Sequence, residues 1–227
     1  MRVVIERLFP FLIMLLVLTP FLFLNKIELM QEINQWRTIF LDALFLKASS
    51  LGNAITVLLV LPILLRFRMK WLAIFIIGFL IQAFIVILCK KGLFHGELRP
   101  LLFFRRSGLM HTVELIPGLK VRHVNTFPSG HTATIFYLVS FFAILARNKV
   151  ASWVLVVVGL FVGFSRIYLF QHWYADVYVG MFFGILSSVL AYLFVKNVPK
   201  DWHSKQLVLR NFKVFKSAQQ VLKQLFN

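Results

Sequence analysis

Six long apolar runs, separated by short basic breaks, limit this chain more than any other feature. Leu8 to Leu24, Leu51 to Leu65, Trp71 to Cys89, His131 to Ala146, Val150 to Phe164 and Tyr174 to Val195 carry one charged residue between them, Asp176. A bilayer interior offers no water to backbone N–H and C=O groups, so apolar runs of this kind cross it as helices that satisfy their own backbones. The runs are somewhat short, so local bilayer thinning would matter. The chain is 60% hydrophobic with 26 Phe, where about half would be usual for a soluble domain. The expected fold is all-α: a polytopic membrane helical bundle of six transmembrane helices plus interfacial helices, forming one domain over residues 1–196.

The first run is read as a retained span, because Asn25, Lys26, Ile27 and Glu28 follow it instead of a small-x-small cleavage site. Between Met30 and Ser49, Trp36, Phe40, Leu44 and Phe45 recur at helical spacing against Asn34, Arg37, Asp42 and Lys47. That pattern predicts an interfacial amphipathic helix. Residues 197–227 are expected to form a basic amphipathic tail, with Val208, Phe212, Phe215, Leu222 and Phe226 on one face. The single cysteine, Cys89, rules out an intrachain disulfide.

The net charge of +17 does not point to nucleic acid, because most of the basic residues lie in the breaks. With the N-terminus in the cytoplasm, the breaks at Arg66 to Lys70 and Arg147 to Lys149 and the tail all fall inside, as the positive-inside rule requires. Lys90 to Gly130 and Ser165 to Trp173 are then left outside. The longer of these segments carries seven Lys or Arg against Glu97 and Glu114. Cations placed where topology disfavours them point to an anionic ligand.

Three segments meet on that face: Lys91 to Pro100, Pro128 to His131, and Ser165 to Asp176. In the second, Ser129 and Gly130 precede a span, where helix N-terminal N–H groups bind anions. In the third, a helix would place His172 and Asp176, four apart, on one face. A carboxylate on one imidazole nitrogen makes the other a better nucleophile. It also favours protonated His172, which would set the acid limb of activity above that of a free imidazole. Arg166 brings a guanidinium suited to bidentate phosphate binding.

These motifs resemble those of the bacterial type 2 phosphatidic acid phosphatases, a family of integral membrane lipid phosphatases. The family pattern is a Lys, six residues and Arg-Pro; then Pro-Ser-Gly-His; then Ser-Arg, five residues, His, three residues and Asp. Ser165, Arg166, His172 and Asp176 match the third part, and Pro128 to His131 match the second. The first departs, with seven residues between Lys91 and Arg99, and either Lys91 or Lys90 can serve. The phosphate pocket also resembles that of vanadate-dependent haloperoxidases, which are soluble.

The resemblance implies His172 as the nucleophile, Asp176 as its orienter, and His131 as the acid for the leaving oxygen and then the base for water. Lys91, Arg99, Pro100, Ser129, Gly130 and Arg166 would form the phosphate site. It implies hydrolysis of a lipid phosphate or diphosphate through a phosphohistidine, on the outer face of the cell (inner) membrane, with both termini cytoplasmic. Polyprenyl diphosphate, phosphatidic acid, phosphatidylglycerol phosphate and lipid A phosphate all fit as substrates. Too few acids lie on that face for a two-metal site, so no metal or cofactor is expected, and His95, His111 and His123 are read as bystanders. A non-catalytic phospholipid binder or translocator is the alternative, although binding alone needs no nucleophile.

Overall fold

A computed structural model describes residues 2–146, 148–199 and 201–205. The expected amphipathic face of the tail, from Val208 onward, and Arg147 lie outside the described residues.

Among the described residues the fold is all helical, with no strand and one isolated bridge, Leu98 to Val124. The helices are α1 (Arg2–Leu18, extended by a 3₁₀ turn over Thr19–Phe23), α2 (Lys26–Gln35), α3 (Ile39–Ser50), α4 (Ala54–Leu64), α5 (Met69–Leu88), α6 (Pro100–Arg106), α7 (Gly130–Leu145), α8 (Lys149–Tyr168) and α9 (Tyr174–Lys196).

Four helical stretches are each long and apolar enough to span a bilayer: Arg2–Phe23, Met69–Leu93, Lys149–Tyr168 and Tyr174–Lys196. Helices α3 and α4 reach that length only as a pair bent by 54°, and α7 is a shorter apolar helix of 16 residues. The expected count of six independent spans therefore gives way to four full spans, a broken pair and a short central helix. The chain is a multi-pass membrane protein of helical-bundle architecture.

Helix α7 is apolar all round because it is covered all round, as expected of a helix with no polar face. Residues Thr132 to Phe141 are buried without interruption, and α9, α8, α5 and α1 pack around the helix. The outer helices instead show apolar side chains outward: Leu80 and Phe84 on α5, Val154 and Val157 on α8, Phe182 and Phe194 on α9. On a protein in water such a surface would be a liability. Around a bundle in lipid it is the solvent-facing side.

Lipid tails give helices no hydrophobic reason to associate, so close packing and internal hydrogen bonds must hold them. Helices α7 and α9 meet through small residues. A Cβ on Gly184 would fall 2.5 Å from the Ala133 carbonyl oxygen and 2.7 Å from the Tyr137 nitrogen, and one on Gly180 would fall 2.8 Å from the Ser129 oxygen. The Ser140 and Ser188 hydroxyls pair across the same interface at 2.8 Å.

The sequence-expected interfacial helix over Met30 to Ser49 is two helices. Thr38 breaks it, because its side chain accepts the Leu41 N–H and caps α3. Asn34, expected on a polar face, is buried and exchanges two hydrogen bonds with the Glu114 backbone. Helix α2 is thereby tied to the long loop after α6. The α8 helix also runs four residues past Phe164, so Ser165 and Arg166 sit in its last turn instead of in a loop.

Gly184→Ala should destabilise the bundle by about 1–3 kcal/mol, the usual penalty for overpacking. Gly92→Ala, whose Cβ meets nothing closer than 3.6 Å, should leave the midpoint of thermal unfolding in detergent unchanged. Equal midpoints for both variants would refute this account of the α7–α9 contact.

Candidate active site

The site forms where α8 ends and α9 begins. Phe170, at φ 60°, turns the chain out of α8 in the left-handed conformation, and its ring packs on Phe104. The Arg166 carbonyl then accepts the N–H groups of Gln171 (3.0 Å) and His172 (3.1 Å). His172 therefore precedes α9 and is not on its face as expected. It still meets Asp176, because Asp176 lies in the first turn of α9 and its Oδ2 accepts the Trp173 N–H at 2.9 Å. An anionic carboxylate is favoured at that end of a helix.

The histidine tautomer follows from its neighbours. Arg99 Nη1 lies 3.3 Å from His172 Nε2 and can only donate. Nε2 therefore holds the lone pair, and Nδ1 carries the proton toward Asp176 Oδ2 at 3.2 Å. Thr126, absent from the sequence reading, donates its hydroxyl to the same Oδ2 and lies 3.3 Å from Nδ1. Nothing in the sequence marks Thr126 beyond its place two residues before Pro128.

Burial, first, and then the charges of Arg99, Arg166 and Lys90 hold the His172 imidazole well below its ordinary value. This overturns the expectation that Asp176 lifts it. One carboxylate at 3.2 Å does not offset near-complete burial (2% exposed) among three cations.

The Pro128–His131 segment joins from the other side. The Ser129 N–H donates to the Asp176 carbonyl at 2.9 Å. Its buried hydroxyl accepts from Thr132 Oγ1 at 2.8 Å and caps α7, which leaves its own proton to donate. Gly130 opens the helix, and His131, partly buried, follows it at the same end.

Arg99 is buried and laced to backbone carbonyls: Nε to Val124 (3.0 Å), Nη1 to Gln171 (2.9 Å) and Nη2 to Asn125 (3.4 Å). Burial and the Arg122 charge bring its guanidinium down to about 10. Arg122 was not among the expected site residues, yet its charge reaches this cluster. Pro100 starts α6 directly after Arg99. Arg166 is buried, gives Nη1 to the Ser49 hydroxyl of α3, and leaves Nε–H without a partner.

The lysine ambiguity has a backbone cause. Helix α5 ends in a turn of π-helix over Cys89–Leu93, closed by the Phe94 N–H to the Cys89 carbonyl at 2.8 Å. Such turns hold extra residues and recur at functional sites. This one sends Lys90 inward, where Nζ donates to the Asn125 (2.8 Å) and Thr126 (3.1 Å) carbonyls. Lys91 is exposed on the outside. The geometry thus places Lys90, not the expected Lys91, in the cluster. His95, His111 and His123 are exposed, and among the described residues no three His, Cys, Asp or Glu side chains are grouped to hold a metal.

Beside Asp176 and Thr126 opens a cavity of about 450 Å³ walled by Phe94, Phe103, Phe127 and Trp173, with Glu97 also in its lining. Lys26 stands over its aromatic wall, 4.9 Å from the Trp173 ring and 5.0 Å from Phe103.

The family model of the PAP2 superfamily matches residues 70–200 of this chain. The chain belongs to the PAP2 superfamily. It is 36% identical over 105 residues to the undecaprenyl-diphosphatase BcrC of Bacillus subtilis, a match covering 45% of this chain and 52% of that one. It is 39% identical over 71 residues to the lipid A 1-phosphatase of Porphyromonas gingivalis, covering 30% of this chain and 16% of that one. The matched stretches thus span about half the length of the first relative and less of the second. Among solved structures, Aquifex aeolicus LpxE aligns with a TM-score of 0.63 at 27% identity, over 74% of this chain and 95% of that one. The transmembrane PAP2-type phosphatidylglycerolphosphate phosphatase of Bacillus subtilis shares the fold, with a TM-score of 0.56 at 21% identity, over 87% of this chain and 99% of that one.

Two predictions follow from this geometry. Lys90→Ala should lower phosphatase activity about tenfold to a hundredfold, the loss of one charge-assisted contact, and Lys91→Ala should leave it within about twofold, as for an exposed site. The reverse order would return the role to Lys91. As a nucleophile His172 would attack in its neutral form, and its titration lies well below the ordinary imidazole value. The pH profile of kcat/KM should then show no acid limb near pH 6.5. Arg99→Gln removes a cation beside His172 and should move the limb up toward that value.

Proposed function

We propose that this chain is a lipid phosphatase that hydrolyses a phosphate or diphosphate headgroup through a phosphohistidine. The observation that carries the reading is the placement of His172, with Asp176 Oδ2 at Nδ1 and the Arg99 guanidinium, which can only donate, at Nε2, so that the lone pair falls on Nε2. A residue that only bound phosphate would have no use for an unprotonated nitrogen aimed at cations.

The steps use groups at this one end of the bundle. A phosphate entering the cluster takes up the Arg99 Nη1–H now given to Nε2 and the unpartnered Arg166 Nε–H. Lys90, the Ser129 hydroxyl and the Gly130 N–H complete the cradle. His172 Nε2 attacks phosphorus, the P–O bond to the lipid breaks, and His131 gives its proton to the departing oxygen. His131 then takes a proton from water, which attacks the phosphohistidine and frees inorganic phosphate and His172. Positioning and neutralisation of the spreading charge supply most of the rate in phosphoryl transfer. Here the neutralising groups are cations and N–H donors, and we place no metal among them.

The apolar cavity beside Asp176 suits the part of the lipid next to the headgroup. The site end lies opposite the end where Glu6 of α1 pairs with Lys149 of α8 at 2.9 Å. By the positive-inside rule that latter end is cytoplasmic, so the active site faces outward.

Phosphate release from the purified chain in detergent should be measured on polyprenyl diphosphate, phosphatidic acid, phosphatidylglycerol phosphate and a lipid A phosphate. Release from at least one, undiminished by excess EDTA, is expected. Loss on chelation, restored by one divalent ion, would overturn the metal-free route. The two histidines should also separate by leaving group. His172→Ala should abolish turnover of every substrate, whereas His131→Ala should retain relatively more activity on nitrophenyl phosphate, whose leaving group hardly needs an acid. The opposite pattern would exchange their roles.

A further inference from the structure

The corner between α3 and α4 touches two of the site's residues from outside all three motifs. It spans Leu51 to Asn53, between helices bent by 54°, and lies before residue 70, where the family match begins. Ser49, in the last turn of α3, is buried and accepts a hydrogen bond from Arg166 Nη1. Gly52, also buried, lies against His131: a Cβ there would fall 2.9 Å from both the His131 Cβ and its carbonyl oxygen. Two residues three apart therefore abut side chains carried by two different helices, Arg166 on α8 and His131 on α7.

Neither contact is needed merely to close the corner. The turn is already held by the Gly52 N–H to the Ser49 carbonyl and the Asn53 N–H to the Ser50 carbonyl, each at 3.1 Å. The Ser49 side chain is an extra partner for a guanidinium that would otherwise have a second unpaired donor. A buried guanidinium loses its orientation when its hydrogen-bond partner is removed, because rotamer freedom returns. At Gly52 only a bare Cα allows this approach, since backbone and a Cβ are poor at yielding space.

We propose that the α3–α4 corner is a fourth segment of the active site, in which Ser49 positions Arg166 on the phosphate and Gly52 lets His131 sit at the leaving oxygen. This rests on the phosphatase reading above. Both are positioning residues, and they act at different points of the reaction. The Arg166 contact serves the phosphoryl group, which every substrate shares. The His131 contact serves the leaving group, which differs between substrates.

The test compares Ser49→Ala, Ser49→Thr, Gly52→Ala and the neighbouring exposed Ser50→Ala on a lipid phosphate and on nitrophenyl phosphate. Stabilisation of each protein by orthovanadate is followed by thermal shift. Ser49→Ala should lower kcat/KM on both substrates alike, by about tenfold to a hundredfold, the range for a small misplacement. It should also weaken stabilisation by vanadate, and Ser49→Thr, which keeps the hydroxyl, should restore both. Gly52→Ala should lose more activity on the lipid than on the aryl substrate and keep its response to vanadate. Ser50→Ala should match the parent.

Parental activity and vanadate response in Ser49→Ala, or an equal loss on both substrates in Gly52→Ala, would overturn the proposal for that residue. A parent that responds to vanadate but releases phosphate from no substrate would sink the phosphatase reading and the Gly52 role with it. The Ser49 assignment would then be decided by the vanadate shifts. A parent with neither response would remove both.

Discussion

The structure of this site depends on one buried carboxylate. Asp176 Oδ2 receives the Trp173 N–H, the Thr126 hydroxyl and the His172 Nδ1–H, and its carbonyl receives the Ser129 N–H. These bonds start a helix, fix an imidazole tautomer, fasten the long loop and align the N-terminus of α7. A carboxylate left unpaired in such a place would be strongly unfavourable. The partners are therefore obligatory, and their convergence brings segments distant in sequence to one point. Replacing Asp176 would disturb the entry to α9 as well as the histidine, so loss of activity alone could not be assigned to the histidine.

The cations around it form the opposite problem. Arg99 and Arg166 are buried with Lys90 beside them, and Arg122 adds its charge from the rim. Such a cluster repels itself, and among the described residues only one buried carboxylate, Asp176, opposes it. The backbone carbonyls of Val124, Asn125 and Gln171 take up much of the strain by accepting from Arg99 and Lys90. A tetrahedral anion entering the cluster would relieve the remaining repulsion. The donors are already in place when it arrives, which is the preorganisation that phosphoryl transfer needs.

Much of this was legible in the sequence, and the illegible parts have specific causes. Pro-Ser-Gly-His and Ser-Arg with its spaced His and Asp are local patterns whose residues end up together because helix ends bring them there. The Lys-to-Arg spacing was misleading, because a π-helical turn changes which of two adjacent lysines points inward, and no composition rule marks that turn. The broken α3–α4 pair was hidden as well. Its apolar run reads like a span, and only the fold shows the 54° bend between α3, which packs on α8, and α4, which packs on α7. Thr126 and Ser49 are single hydroxyl residues without a motif, and only the tertiary fold shows what they touch. The expected direction for His172 failed for a related reason: the carboxylate four residues on is visible in the sequence, but burial and the three cations are not.

The missing side chains at Gly180 and Gly184 have a consequence for how such a protein diversifies. They let α9 press its backbone onto that of α7, and His131 and the carboxylate that holds His172 are carried by those two helices. The spacing of the chemical groups is thus fixed by main-chain contact, which substitution elsewhere scarcely alters. The wall that would meet the rest of a lipid is built differently, from Lys26, Phe94, Phe103 and Phe127 on short helices and loops. Changes there reshape the cavity without moving the reacting atoms. On the proposed function, a fold divided in this way would let one amphiphile be exchanged for another through a few rim residues while the reaction stays constant.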